Sequence, residues 1–167
     1  MSSRLRVIDV DEISFPAMTV CNMNQIKKSY AEQDNFMKNV LLALNPTALS
    51  NVSLFDPAVM HKIETEYDMI QIFRDGSFTL QEMFVGCYWQ QMWTKCSNLF
   101  TKIKTSMGYC FTFNSAEFIE RNGKAMSSQS GVKAGLAIEV NVNQEEYFFQ
   151  SGDSAGIRVS GQVVKIR

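Results

Sequence analysis

Nothing in these 167 residues is long and apolar enough to cross a bilayer. The longest unbroken apolar run is Val40 to Leu44, against the roughly 18 to 20 residues that a hydrocarbon core requires. The opening MSSRLRVIDVDEIS carries acids where a signal peptide has an apolar block of at least about 7 residues, so the sequence as written shows no leader. Charge of one sign is equally scarce. Sixteen Lys and Arg against 17 Asp and Glu leave a net charge of -1, with no single-sign run to attract nucleic acid or an anionic membrane surface. There is one histidine, His61, and no Cys-x-x-Cys pair, so the spacing of a zinc site is missing. His61 reads as a helix-surface residue, and Cys21 has no base near it in sequence to make it a nucleophile.

What is present is enough apolar residue for one ordinary domain, which at this length buries roughly two thirds of its unfolded surface. Four cysteines, Cys21, Cys87, Cys96 and Cys110, allow three disulfide pairings, and spacing does not choose among them. FPAMTVC at 15–21 reads as a strand with its proline near the start. Ser29 and Glu32 have capping-box spacing, and Phe36, Val40, Leu41 and Leu44 then recur at helical intervals until Asn45-Pro46, which predicts a helix of about four turns. Asp56-Pro57 predicts a second helix start, with Val59, Met60, Ile63, Tyr67 and Ile70 on one face before Gly76. Thr79 and Glu82 repeat the capping-box spacing and predict a short third helix over about 80–86. Beyond Cys96 the apolar period falls to two, in Tyr109 to Phe113 and in Leu136, Ile138, Val140 and Val142, which predicts strands. NGKAMSSQSG at 122–131 reads as an exposed loop. Strand, helices, then strands is an α+β layout.

FPAMTVCNMNQIKKS at 15–29 resembles the segment that follows the first transmembrane helix in subunits of the degenerin/epithelial sodium channel family, acid-sensing channels included. The matching residues are Phe15, Pro16, Ala17, Thr19, Cys21, Asn22 and Asn24. GYCFTFNS at 108–115 is similar to the family's second signature through Gly108, Cys110, Thr112, Phe113 and Asn114. GLAIEVNVNQEEYFF at 135–149 and AGIRV at 155–159 look like a third, through Gly135, Leu136, Gln144, Glu146, Tyr147, Ala155, Gly156 and Val159. The family's histidine after the AG strand is replaced by Gly161-Gln162, so SGQVVKIR at 160–167 is expected to fall outside the resemblance.

The resemblance implies palm and β-ball strands interrupted by a helical finger block of about three helices, laid out as 1–28 first palm strand, 29–106 finger and 107–167 β-ball and palm. It implies the disulfides Cys21–Cys110 and Cys87–Cys96. It also implies the extracellular side of the plasma membrane, assembly with other channel subunits as a trimer, sodium ions as cargo of the whole channel, membrane contact only through helices outside this chain, no cofactor, no nucleic acid and no enzymatic activity. The alternative reading is a non-conducting fragment that binds and modulates full-length subunits. In an extracellular setting Asn51-Val52-Ser53 is a glycosylation acceptor at Asn51. Asp9, Asp11 and Glu12 are expected to be solvated acids, not cation sensors. Phe84, Tyr88, Trp89 and Trp93 are expected to pack on the helices of their own block.

Overall fold

A computed structural model describes residues 13–44, 50–127, 134–150 and 156–162. The organising element is the extended stretch that starts with β2, Ala17–Asn22, and continues after Met23 as β3, Asn24–Lys27. Strand β2 lies inside a four-stranded antiparallel sheet, flanked by β7 (Gly108–Phe113) and β11 (Ile157–Gln162), with β6 (Phe100–Thr105) on the far side of β7. The pleat sends alternate residues to opposite faces. Register pairs Val20 with Phe111, and Phe113 with both Met18 and Phe100. These residues share the inner face and enter one core with Phe78, Met83, Phe84 and Leu99.

That core is closed by a second sheet, β4 (Phe84–Trp89) between β5 (Met92–Trp93) and β9 (Leu136–Val140). Phe84 lies 4.6 Å from Phe100 and 5.5 Å from Phe111 between ring centroids, and Trp89 lies 5.0 Å from both Phe15 and Phe113. Removing a ring such as Phe113, fully buried, costs about 3–5 kcal/mol in cores of this kind. Phe84 and Trp89 therefore pack on rings of the facing sheet, in a core that also takes in Leu80, Met83 and Leu99 from the short helical turns beside them. Trp93 is 63% exposed.

Strand β3 pairs with β10 (Tyr147–Gln150), and this ribbon carries the chain to a second core beneath the helices. There Ile26 and Ala31 meet Met37, Val40 and Leu41 of α2 (Asn35–Leu44), Ile63 of α3 (Pro57–Glu66) and Ile72 of α4 (Met69–Gly76). A short α1, Lys28–Ala31, leads in from β3. Strand β1, Ile13–Ser14, pairs with β8, Met126–Ser127, at the opposite end.

Several expectations are corrected. Residues 28–99 hold six short helices among the described residues, not about three, because the second predicted helix is broken in two, the third is α5 (Leu80–Met83), and the single turns α1 and α6 (Cys96–Leu99) are additional. The break falls at Tyr67–Asp68, where the Asp68 carboxylate accepts from the amides of Ile70 and Gln71 and starts a new helix. Met60 and Ile70, 39% and 60% exposed, are consequently not on the buried stripe. Ser29 does not cap a four-turn helix. Asp34 instead caps the ten-residue α2, accepting from Phe36 and Met37 at 2.8 and 3.0 Å. The third helix ends at Met83, and the chain is a strand by Phe84. The loop expected at 122–131 is preceded by an unforeseen helix, α7, Ala116–Asn122, capped by Ser115. The finger span 29–106 also contains strands β4, β5 and β6.

Candidate functional site

Most of the residues that carry the sequence signatures converge on β2 and its neighbours as an internal frame, while Leu136 stands on the second sheet. On the outer face of the four-stranded sheet the hydroxyls of Thr19 and Thr112 are 2.9 Å apart, and one step along, Cys21 is joined to Cys110 by a disulfide. The Thr105 hydroxyl reaches the Cys110 sulfur at 3.2 Å. Cys87 and Cys96 form the second disulfide, tying β4 to the start of α6.

Where β2 gives way to β3, two buried asparagines replace the ladder. Asn22 donates its Nδ2 to the Val142 carbonyl at 3.0 Å and accepts from the Asn24 amide at 2.9 Å. Asn24, 2% exposed, donates to the Glu146 carbonyl at 2.7 Å and accepts from the Phe148 amide at 3.1 Å. A buried side-chain amide is tolerated when both of its ends are used. Each asparagine here pins the segment 142–148 against the end of β2. That segment turns through Gln144–Glu146 before Tyr147, whose hydroxyl accepts from the Gly156 amide at 2.8 Å, while the Gly156 carbonyl accepts from Met23 at 3.0 Å. The Glu146 carboxylate accepts from the Ser29 amide at 2.8 Å.

Asn114 does the same work at the end of β7. In the left-handed region at φ 53°, it donates to the Phe15 carbonyl and accepts from Ala125 at 3.1 Å. Gly108 opens β7 at φ 91°, where a Cβ would stand 3.2 Å from the Gln25 side chain, so the turn into this strand favours glycine on both counts. Pro16 is exposed just ahead of β2, Ala17 is buried opposite Gln162, Gly135 accepts from Gln90 at 3.1 Å, Leu136 pairs with Trp89, Gln144 is exposed and Val159 pairs with Val20. Ala155 lies outside the described residues, as do Asp9, Asp11 and Glu12.

Charged groups outside the family signatures brace the helical block and tie it to the sheets. Asp34, besides capping α2, accepts from the Tyr67 hydroxyl at 2.8 Å. The Met37 amide and the Tyr67 hydroxyl hold its carboxyl below the usual range, while burial and the Asp34 carboxylate push the Tyr67 phenol up to about 12. Lys27 pairs with Glu82 at 2.8 Å. Burial acts to raise the Glu82 carboxyl, but hydrogen bonds from Lys27 and Thr79 outweigh it and leave it lowered. Lys102 of β6 donates to the Arg74 carbonyl at the end of α4, at 3.2 Å. An aspartate just before an apolar run is a legible cap. Its tyrosine partner, 33 residues on, carries no sequence signal.

Over the hydroxyl-bearing face of the sheet lies a cleft of about 280 Å³ bounded by Thr19, Thr105, Ser106, Met107, Arg158 and Ser160. It presents a guanidinium and several hydroxyls to solvent and no nucleophile–base pair. His61 is exposed on α3, and Asn51 is exposed ahead of a turn in which the Asp56 amide donates to the Ser53 carbonyl at 3.1 Å. Among the described residues no three of His, Cys, Asp or Glu gather closely enough to hold a metal ion, and no helix is long and apolar enough to cross a membrane.

Comparison with known proteins places these residues in context. The family described as amiloride-sensitive sodium channel matches residues 2–162, so Ser160, Gly161 and Gln162 fall inside the match. Acid-sensing ion channel 1C of Danio rerio is 28% identical over 177 residues, covering 94% of this chain and 33% of that protein. Acid-sensing ion channel 2 of Homo sapiens is 28% identical over 92% of this chain and 34% of its own length. For acid-sensing ion channel 1 of Gallus gallus the identity is 23%, over 94% and 33%. The chain spans about a third of the length of these relatives.

Proposed function

The chain belongs to the amiloride-sensitive sodium channel family, a family of ion channels and not of enzymes, and on that premise we propose that it is an extracellular segment of a sodium channel subunit. The observation that carries the reading is the frame around β2. The family's two signatures meet there as a strand pair joined by Cys21–Cys110 and closed at either end by Asn24 and Asn114. Such a frame is suited to holding two lobes in fixed relation outside the membrane, where disulfides persist.

In the full channel, residues 1–28 begin the palm, 29–106 the finger and 107–167 the β-ball and returning palm strands. The subunit assembles with others as a trimer on the plasma membrane, and sodium ions pass through parts beyond this segment. Asn51 carries an N-linked glycan.

The test uses the full-length product of the gene that encodes this chain, expressed in cultured cells with an epitope inserted after Phe55. Antibody labelling of intact cells, a mobility shift on glycosidase treatment that Asn51→Gln abolishes, and an amiloride-blocked sodium current are the expected results. Labelling only after permeabilisation would overturn the extracellular placement. Surface labelling without current, together with co-purification on co-expressed acid-sensing channels, would replace conduction with a modulatory role.

A further inference from the structure

The chain has a single Asn-Gly step, Asn122-Gly123, at the end of α7. We propose that Asn122 is a site of spontaneous deamidation, gated by opening of the last turn of that helix. In the reaction the Gly123 backbone nitrogen attacks Cγ of Asn122. The N–Cγ bond forms, the Cγ–Nδ2 bond breaks and ammonia leaves with the amide proton. Water then opens the cyclic imide at either carbonyl, giving aspartate or isoaspartate. No oxidant or reductant is involved.

The geometry both exposes and restrains this step. Asn122 and Gly123 are exposed, and apart from its chain neighbours nothing packs within 4 Å of the place a Gly123 Cβ would occupy, so no other part of the fold crowds the glycine. While the helix is intact, the attacking nitrogen donates to the Ile119 carbonyl at 2.9 Å and the Asn122 amide donates to Phe118 at 3.2 Å. Both groups are released only when the last turn frays. Helix α7 has seven residues, none of them buried, and its start is held by the Ser115 hydroxyl, which accepts from Phe118 at 3.1 Å. Short helix ends of this kind open at low cost.

Two other steps have related chemistry and are locked. Asn114-Ser115 is buried with both ends of the Asn114 amide bonded. Asp75-Gly76 lies in α4 with Asp75 paired to Arg74, and Gly76 is packed so closely that a Cβ there would sit 2.8 Å from the Tyr30 ring. Reaction at Asn122 therefore stands apart from both. Its product puts a carboxylate at a helix C-terminus, where the macrodipole opposes it, inside a cleft of about 270 Å³ that includes Ser97, Asn98 and Arg121. The chemical change is a one-way conversion of that cleft from amide to acid.

The test incubates the folded 167-residue chain at mildly alkaline pH and follows its peptides by mass spectrometry, with isoaspartate read by methyltransferase labelling. Conversion at the Asn122 peptide, with the Asn114 and Asp75 peptides unchanged, is the expected ranking. Ser115→Ala should raise the rate at Asn122 about fivefold, the factor a lost N-cap of about 1 kcal/mol gives. An unaltered Asn122 peptide under conditions that convert the urea-unfolded chain would overturn the proposal. So would equal conversion at all three peptides, a comparison that stands even if Ser115→Ala fails to fold.

Discussion

Asn24→Leu would keep the branched outline of the side chain at the β2–β3 junction but leave the Glu146 carbonyl and the Phe148 amide without their partner. Because a part-buried polar group left unsatisfied costs about 1–3 kcal/mol, the variant should lose roughly 2–4 kcal/mol in urea denaturation, with refolding retained. An unchanged midpoint would mean that water replaces both contacts. Tyr67→Phe tests a different bond. Loss of the hydroxyl donated to Asp34 should cost about 1 kcal/mol near neutral pH, and the gap between the two proteins should depend on pH with a definite sign. Asp34 has its folded value depressed below 3.8, so its contribution is full above that pH and fades as pH falls through the folded value. Tyr67 is raised from 10.0 to about 12, so its contribution is full below pH 10.0 and is lost between there and about 12. The stability difference should therefore be a plateau that declines on both sides. A difference that stays flat from pH 9 to 12 would remove the phenol–carboxylate bond from the account.

At the scale of elements, caps separate what the sequence displays from what tertiary contacts decide. Thr79 and Glu82 make both bonds of their capping box, at 3.3 and 2.7 Å. Thr79→Ala should cost about 1 kcal/mol. Ser29 and Glu32 have the same spacing, yet the Ser29 amide is taken by the Glu146 carboxylate, 117 residues on, and α2 starts from Asp34 instead. Asp34→Ala should thus cost about 1–2 kcal/mol in urea midpoints while Ser29→Ala costs almost nothing. The reverse order would restore the helix start read from the sequence. The same competition explains the other differences. The apolar period runs through Tyr67–Asp68 unbroken, and only the two amides that Asp68 accepts reveal the break. FVGCYW at 84–89 could continue a helix by local signals, but antiparallel pairing with Leu136–Val140 makes it a strand. The strands at 108–113 and 136–140 were legible because a pleat that turns alternate residues to the apolar core imposes its period of two on the sequence, even in β7, whose other face is buried as well. The asparagine frame was legible only as a motif, since nothing local says that Asn22 and Asn24 reach the segment from Val142 to Phe148.

For the molecule as a whole, the continuous stretch from Ala17 to Lys27 feeds both cores, Val20 in one and Ile26 in the other. Cys21 sits between them, and its bond to Cys110 closes a separation of 89 residues, against 9 for Cys87–Cys96. Spacing could not choose this pairing; the family resemblance implied it, and register explains it, since Cys21 follows Val20, which faces Phe111, the neighbour of Cys110. In the chain-entropy account the longer loop stabilises by about 4.6 kcal/mol and the shorter by about 2.7 kcal/mol. Replacing Cys21 and Cys110 together by alanine should therefore destabilise by about 2 kcal/mol more than replacing Cys87 and Cys96 together. Because β2 serves both cores, the first variant should also lower the unfolding midpoint read from Trp89 in the sheet core and from hydrogen exchange at Leu41 in the helical core by the same amount. Removing Cys87–Cys96, which lies wholly on the sheet side, should affect Trp89 first. Coincident shifts in both variants would mean that the two cores unfold as one unit, independent of the strand that joins them.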